Sequence, residues 1–232
     1  ETALSTERAF AASAAHELRN PLGALLAQVQ MLGHVLPAGS DVGERVELIA
    51  NRTRRLARTV EKLLQLSRAA SGAAFRRDRF DVLAILHVLV DDLSCNISNN
   101  VTITVHNNSI SKMLVYGDMD ATGILLRNLL ENAILHRHHT TLVHVVVAPD
   151  GCVDITNDCT ALKPAILARL TNPFVRGGST AHGSGLGLAI ASNIASQMDA
   201  RFTLYSPLPG TVRGFGVCIQ FPDVEIYCEL EG

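Results

Sequence analysis

The sequence predicts an α+β chain in two parts, an N-terminal hairpin of two long helices followed by a mixed α/β part. Two observations carry this. Apolar residues recur at threes and fours along the N-terminal stretch, and after Ser71-Gly72 the pattern breaks into short alternating runs separated by turns. The composition agrees with a folded chain: 47% of the 232 residues are hydrophobic. Trp is absent and aromatics make up 4%, so Leu, Val, Ile and Ala must build the core.

From about Ser5 to Leu36 the apolar positions Phe10, Ala14, Leu18, Leu22, Leu25, Val29 and Leu32 mark one helical face. Pro21 lies inside this pattern, removes a backbone donor and predicts a kink or local loosening. Pro37 to Asp41 is a turn, with Ser40 or Asp41 as the N-cap of a second helix over about Val42 to Ala70. A hairpin of two helices buries too little surface alone. Two copies paired as a four-helix bundle solve this, which predicts a homodimer.

Ser71-Gly72 opens a linker. Phe80 to Leu93 then reads as a helix, Val101 to Val105 as a strand, Val115-Tyr116 as a short strand, and Met119 to His136 as a strongly apolar helix. Leu142 to Val147 and Val153 to Thr156 are strands joined at Pro149-Asp150-Gly151. Leu186 to Met198 is a helix, and Arg201 to Tyr205 and Val212 to Phe221 close the chain as strands around Pro207 to Gly210. This order favours one sheet with helices on one face.

The formal net charge of −2 gives no basic field of the kind that draws a chain to nucleic acid. The five cysteines, Cys95, Cys152, Cys159, Cys218 and Cys228, match no zinc spacing and read as free thiols in a reducing compartment. No run of about eighteen apolar residues spans a bilayer, and no signal peptide is present. The chain starts at Glu1 within a helical pattern, which reads as a piece of a longer protein. Membrane association is expected only through a part that precedes it.

Three constellations carry chemistry. In His16-Glu17-Leu18-Arg19-Asn20-Pro21, Asn20 lies one helical turn beyond His16 on the same face. A neutral imidazole nitrogen is a nucleophile, and a neighbouring carboxylate can take the other ring proton. In Asn128-Leu-Leu-Glu131-Asn132-Ala133 the two amides share a helix face and offer oxygen ligands to a hard cation. Asparagine is a poor residue for a helix interior unless its side chain has a task. In Gly183-Ser-Gly185-Leu-Gly187-Leu-Ala-Ile190 a glycine-rich stretch runs straight into a helix, which suits backbone N–H groups to phosphate.

In this order the motifs resemble those of the sensor histidine kinase family, over nearly the whole chain. His16 to Pro21 resembles its phosphoacceptor box, Asn128 to Ala133 its asparagine box, Pro173-Phe174-Val175-Arg176 its phenylalanine box, and Gly183 to Ile190 its second glycine box. The resemblance implies a dimerisation and histidine phosphotransfer domain over 1–72 and a catalytic ATP-binding domain over 73–232. The second would be an α/β sandwich of the Bergerat, histidine kinase/GHKL type. It implies ATP and Mg²⁺ as cofactors, with Asn132 on the metal. Asn128, Asn157, Arg176, Gly183, Gly185 and Gly187 would hold the nucleotide. It further implies His16 as phosphoacceptor, Glu17 as base and Asn20 in the reverse dephosphorylation. The partners would be a second copy of the chain and a response-regulator receiver domain, in the cytoplasmic portion of a bacterial inner-membrane protein.

Two departures stand out. The family's first glycine box reads Asp-x-Gly-x-Gly in outline. Aligned on the strand Val153-Asp-Ile155, Asn157 takes the place of its aspartate, and Cys159 and Ala161 those of its glycines. Asp158 could serve instead with a shift of one residue. An amide oxygen also accepts a hydrogen bond from an adenine amino group, but without charge, which predicts binding weaker by about tenfold. Leu135 stands where the family often has Lys or Arg, with His136, Arg137 or Arg176 as compensating groups. The alternative is a degenerate kinase with weak ATP binding, acting mainly as phosphatase or scaffold.

Overall fold

The computed structural model describes residues 21–36, 40–71, 77–96, 102–107, 109–138, 142–177 and 183–228. The chain divides into two compact units, Glu1–Ala73 and Ala74–Gly232. The first contains helix α1, over residues 21–35, and α2 (Asp41–Ser71). Ser40 caps α2, its Oγ accepting a bond from Gly43 N at 3.1 Å, and Asp41 and Glu44 place negative charge in the first turn. Val29, Ala50 and Thr53 are buried, whereas Met31, Leu32, Leu48, Ile49 and Leu56 remain at least about half exposed. The expected helix start near Ser5 and the kink before Pro21 lie outside the described residues.

The second unit runs β1 (Asp78–Asp81), α3 (Val82–Asn96), β2 (Ile103–His106), β3 (Ile110–Gly117), α4 (Met119–His136), β4 (Val143–Val147), β5 (Cys152–Asn157), α5 (Pro164–Leu167), α6 (Gly187–Gln197), β6 (Arg201–Tyr205), β7 (Phe215–Gln220) and β8 (Glu225–Cys228). A five-stranded sheet has the order β2-β4-β5-β7-β6. Its β2–β4 pair is parallel and the other pairs are antiparallel. The expected single sheet is corrected, because β1, β3 and β8 form a separate antiparallel sheet. The start of the expected helix at Phe80 belongs to β1. The carboxylate of Asp81 ends that strand: its Oδ1 accepts from Leu83 N and from Met113 N, each at 3.0 Å, opening α3 and joining it to β3.

The core lies between the five-stranded sheet and the helices. Leu125, Leu126, Leu129, Leu130, Ala133 and Ile134 recur at threes and fours and form the buried face of α4. They pack against α6 and over β4 and β5. From the sheet, Val143, Val145, Val153, Ile155, Val217 and Ile219 are buried. The period of two along β5 puts Val153, Ile155 and Asn157 on this inner side and Cys152, Asp154 and Thr156 on the other.

Cys152 and Cys218 are brought together on β5 and β7, with Cα atoms 6.4 Å apart. Each strand by itself gives no sign of this, because the pairing of β5 with β7 creates the proximity. Cys95, Cys159 and Cys228 are free. Among the described residues no helix is long and apolar enough to cross a membrane.

Candidate functional site

Asp118 starts α4 by accepting from Ala121 N at 2.9 Å, and the Thr122 hydroxyl donates to Asp118 O at 2.8 Å. This fixes the rotation of the helix and turns Asn128 inward. Asn128 is 4% exposed. Its Nδ2 donates to Ile124 O at 2.8 Å, which fixes the amide and leaves Oδ1 buried without a hydrogen-bond partner. That oxygen faces the start of α6: a Cβ added at Gly187 would stand 3.3 Å from it. Gly187 therefore keeps the space next to the amide open. Asn132, one turn further along, is half-buried.

The start of α6 carries no side-chain cap, so its first N–H groups are left for other acceptors. Before it, Gly185 has φ +71, and a Cβ there would stand 2.9 Å from the Phe174 backbone. Phe174 N donates to Gly185 O at 2.9 Å. Only glycine fits both the dihedral and the approach. Gly183 lies over Leu135, whose Cδ2 would be 3.1 Å from an added Cβ. Leu135, at the position where the family often has Lys or Arg, thus supports an apolar contact. His136 beside it is held below its ordinary pKa, first by burial and then by the nearby positive charge of Arg176. Arg176 therefore stands within electrostatic reach of the end of α4.

At the end of β5, Asn157 is 1% exposed, and neither its Oδ1 nor its Nδ2 has a hydrogen-bond partner. Asp158 turns away and pairs with Arg213 at 2.8 Å. The segment after β5 is tied to the β6–β7 connection. Gly214 N donates to Cys159 O at 2.7 Å, Leu162 N donates to Ser206 Oγ at 3.0 Å, and Ser206 Oγ donates to Gly214 O at 2.6 Å. Burial pushes the Cys159 thiol up, with the adjacent Asn157 amide partly opposing it and Asp158 adding to it.

The structure thus brings Asn128 and Gly187 together, sets Gly185 against the Phe174 turn, and places Arg176 near His136. Asn157 sits on the inner side of the sheet that α4 covers. His16, Glu17 and Asn20 lie outside the described residues. Sequence reasoning missed Arg213 and Ser206, which anchor the segment after β5. No local signal marks them, since the groups they anchor, Asp158 and Leu162, lie more than forty residues away. Orphaned buried amide atoms and an uncapped helix start are the donor and acceptor set that a nucleotide with a hard cation requires.

Comparison with known proteins gives this arrangement its family. Residues 6–72 match the model of the His Kinase A (phospho-acceptor) domain, and residues 117–225 that of the histidine kinase-, DNA gyrase B- and HSP90-like ATPase. Sensor protein BasS of Salmonella typhimurium is 31% identical over 212 residues, which are 88% of this chain and 56% of that protein. Sensor-like histidine kinase SenX3 of Mycobacterium tuberculosis is 28% identical over 228 residues, 93% of this chain and 54% of that protein. The chain spans about half the length of these relatives. The crystal structure of full-length ShkA in complex with AMPPNP shares the fold, with TM-score 0.71 at 20% identity over 94% of this chain and 46% of that one. The chain belongs to the sensor histidine kinase family and comprises a two-component histidine kinase catalytic core.

Proposed function

We propose that this chain phosphorylates itself on His16 with ATP and passes the phosphoryl group to an aspartate of a response-regulator receiver domain. The observation that carries the reading is the set of orphaned amide atoms on Asn128 and Asn157 in the unit that matches the ATPase model. In this reading 1–72 is the dimerisation and phosphotransfer domain and 73–232 the ATP-binding domain. The base end of ATP lies at Asn157. Its phosphates lie toward Gly183, Gly185 and Gly187, with Arg176 alongside. Mg²⁺, held by Asn132 with Asn128 beside it, would neutralise the phosphate oxygens. The bound nucleotide of ShkA supports this use of the fold.

The unprotonated ring nitrogen of His16 attacks the γ-phosphorus as the bond to the ADP oxygen breaks. Glu17 receives the proton of the other ring nitrogen. The chain contributes positioning, which supplies up to roughly 7–11 kcal/mol of a barrier in the best cases. In the second step the N–P bond breaks, an aspartate oxygen of the regulator takes the phosphoryl group, and Glu17 returns the proton. Asn20 orients water for the reverse dephosphorylation. Pairing of two hairpins covers the exposed leucines of α2 and makes the working form a homodimer. The chain would be the cytoplasmic portion of a bacterial inner-membrane protein, joined to the membrane through a preceding part.

The test is incubation with γ-labelled ATP and Mg²⁺. Label lost in acid and stable in alkali is expected for the native chain and absent from His16→Ala, which still binds ATP. Acid-labile label retained by His16→Ala would remove His16 from its role. One observation favours the second reading, a degenerate kinase serving as phosphatase or scaffold. The segment after β5 has Cys159 and Ala161 where the family has glycines, and Cys159 O is committed to Gly214 N. A folded dimer that takes up no label, yet removes phosphate from the regulator, would establish it.

A further inference from the structure

Two buried asparagines belong to the proposed nucleotide site, and they differ in one respect. The amide of Asn128 is fixed, because Ile124 O holds its Nδ2 and only Oδ1 is left to a ligand. The amide of Asn157 is not fixed in this way, because no geometric hydrogen bond holds its donor or its acceptor. The Cys159 thiol interacts with it, but a thiol can accept from Nδ2 or donate to Oδ1 and so can follow either orientation. Asp158, which could have supplied a negative charge there, is committed to Arg213.

We infer that Asn157 makes this a site for 6-oxopurine as well as 6-aminopurine nucleotides. The inference rests on the proposed function, which places the base at the end of β5. A 6-aminopurine offers an N–H donor at position 6 and an acceptor at N1, and a 6-oxopurine offers the reverse. A carboxylate has acceptors only and repels a 6-oxo group. An amide has one donor and one acceptor side by side, and rotation by half a turn exchanges them. With one orientation Oδ1 accepts from the 6-amino group and Nδ2 donates to N1. With the other, Nδ2 donates to the 6-oxo group and Oδ1 accepts from N1–H. A structure that held either amide atom would lock one choice. Here only the adaptable Cys159 thiol engages the amide, and at 1% exposure the orphaned pair has a ligand as its natural partner.

The experiment is calorimetric titration of the 232-residue chain with Mg²⁺-ADP and Mg²⁺-IDP, which differ only at position 6 and N1 and do not turn over. IDP is expected to bind within about tenfold of ADP. Asn157→Asp is expected to keep ADP and to weaken IDP by a further factor of about ten or more. If the native chain binds ADP but IDP is more than tenfold weaker, the inference falls and the proposed function stands. The same holds if Asn157→Asp weakens both nucleotides equally. If neither nucleotide binds, the proposed function falls and takes the inference with it. Should Asn157→Asp fail to fold, the native ratio decides alone.

Discussion

In the α/β unit Leu125, Leu126, Leu129 and Leu130 of α4 are inaccessible, whereas in the hairpin Leu25, Met31, Leu32 and Leu56 keep between 45% and 62% of their surface. Both regions show the same helical spacing of apolar residues. The difference is the number of layers available to receive them. A sheet and a second helix close over α4, but a pair of helices has only one mutual face. Periodicity therefore predicts which side of a helix is apolar and says nothing about whether the same chain covers it. One unit finishes its own core, and the other leaves apolar surface that a second copy covers in the proposed reading.

That contrast can be broken by mutation. The largest effect is expected from Leu130→Ala, which empties a fully buried position on α4 and destabilises the α/β unit by about 2–5 kcal/mol in denaturant unfolding. A loss below about 1 kcal/mol would mean that this core is loosely packed. Next, Gly185→Ala combines a left-handed backbone with a backbone collision. It is expected to cost about 1–3 kcal/mol and to weaken ADP binding in calorimetry. Unchanged binding would separate the Phe174 turn from the nucleotide site.

Leu56→Lys changes the exposed face of α2 instead. It is expected to raise the dimer dissociation constant roughly tenfold in sedimentation, about 1.4 kcal/mol, while ADP binding stays as it was. An unaltered dimer would show that another surface completes the hairpin.

The smallest effect concerns the outer side of the five-stranded sheet. Tyr205 donates to Asp154 Oδ2 at 2.5 Å, and its ring covers Gly216 so closely that any Cβ there would collide with it. Burial holds the Asp154 carboxyl above its ordinary value, with the Tyr205 bond opposing this. A carboxyl raised on folding binds its proton more tightly in the folded state. Its contribution to stability is present at low pH and is lost as pH rises through the raised value. Tyr205→Phe removes the opposing bond, costs roughly 1 kcal/mol, and extends the pH window of that loss upward. Urea midpoints measured between pH 4 and 8 test this, and an unchanged profile would rule out the coupling.

The long elements were legible because each carries many repeats of one signal. Helix α4 runs for 18 residues, and its apolar spacing predicts those bounds. The small sheet was not legible, because β1 and β8 are four residues each and β1 buries only Phe80. Their identity as strands comes from pairing with β3, which no local pattern encodes. The same limit hid the Cys152–Cys218 pair. At the candidate site, spacing singles out Asn128, Asn132 and the glycines leading into α6, whereas Asn157 is singled out only by the resemblance of its segment to the family's first glycine box. The commitment of Asp158 to Arg213 needed the fold, because α5, α6 and β6 separate the partners in the chain.

The ties between the segment after β5 and the β6–β7 connection carry a consequence for measurement by hydrogen–deuterium exchange. The amides of Leu162 and Gly214 each donate to a group in the other segment, and Ser206 links both. Neither amide can open to solvent without disturbing the other segment. Their deuterium uptake is therefore expected to be slow and matched, although they sit in stretches without helix or strand and are fifty-two positions apart. Such a paired signal would report the floor of the proposed base site as a single cooperative piece, present before any nucleotide arrives.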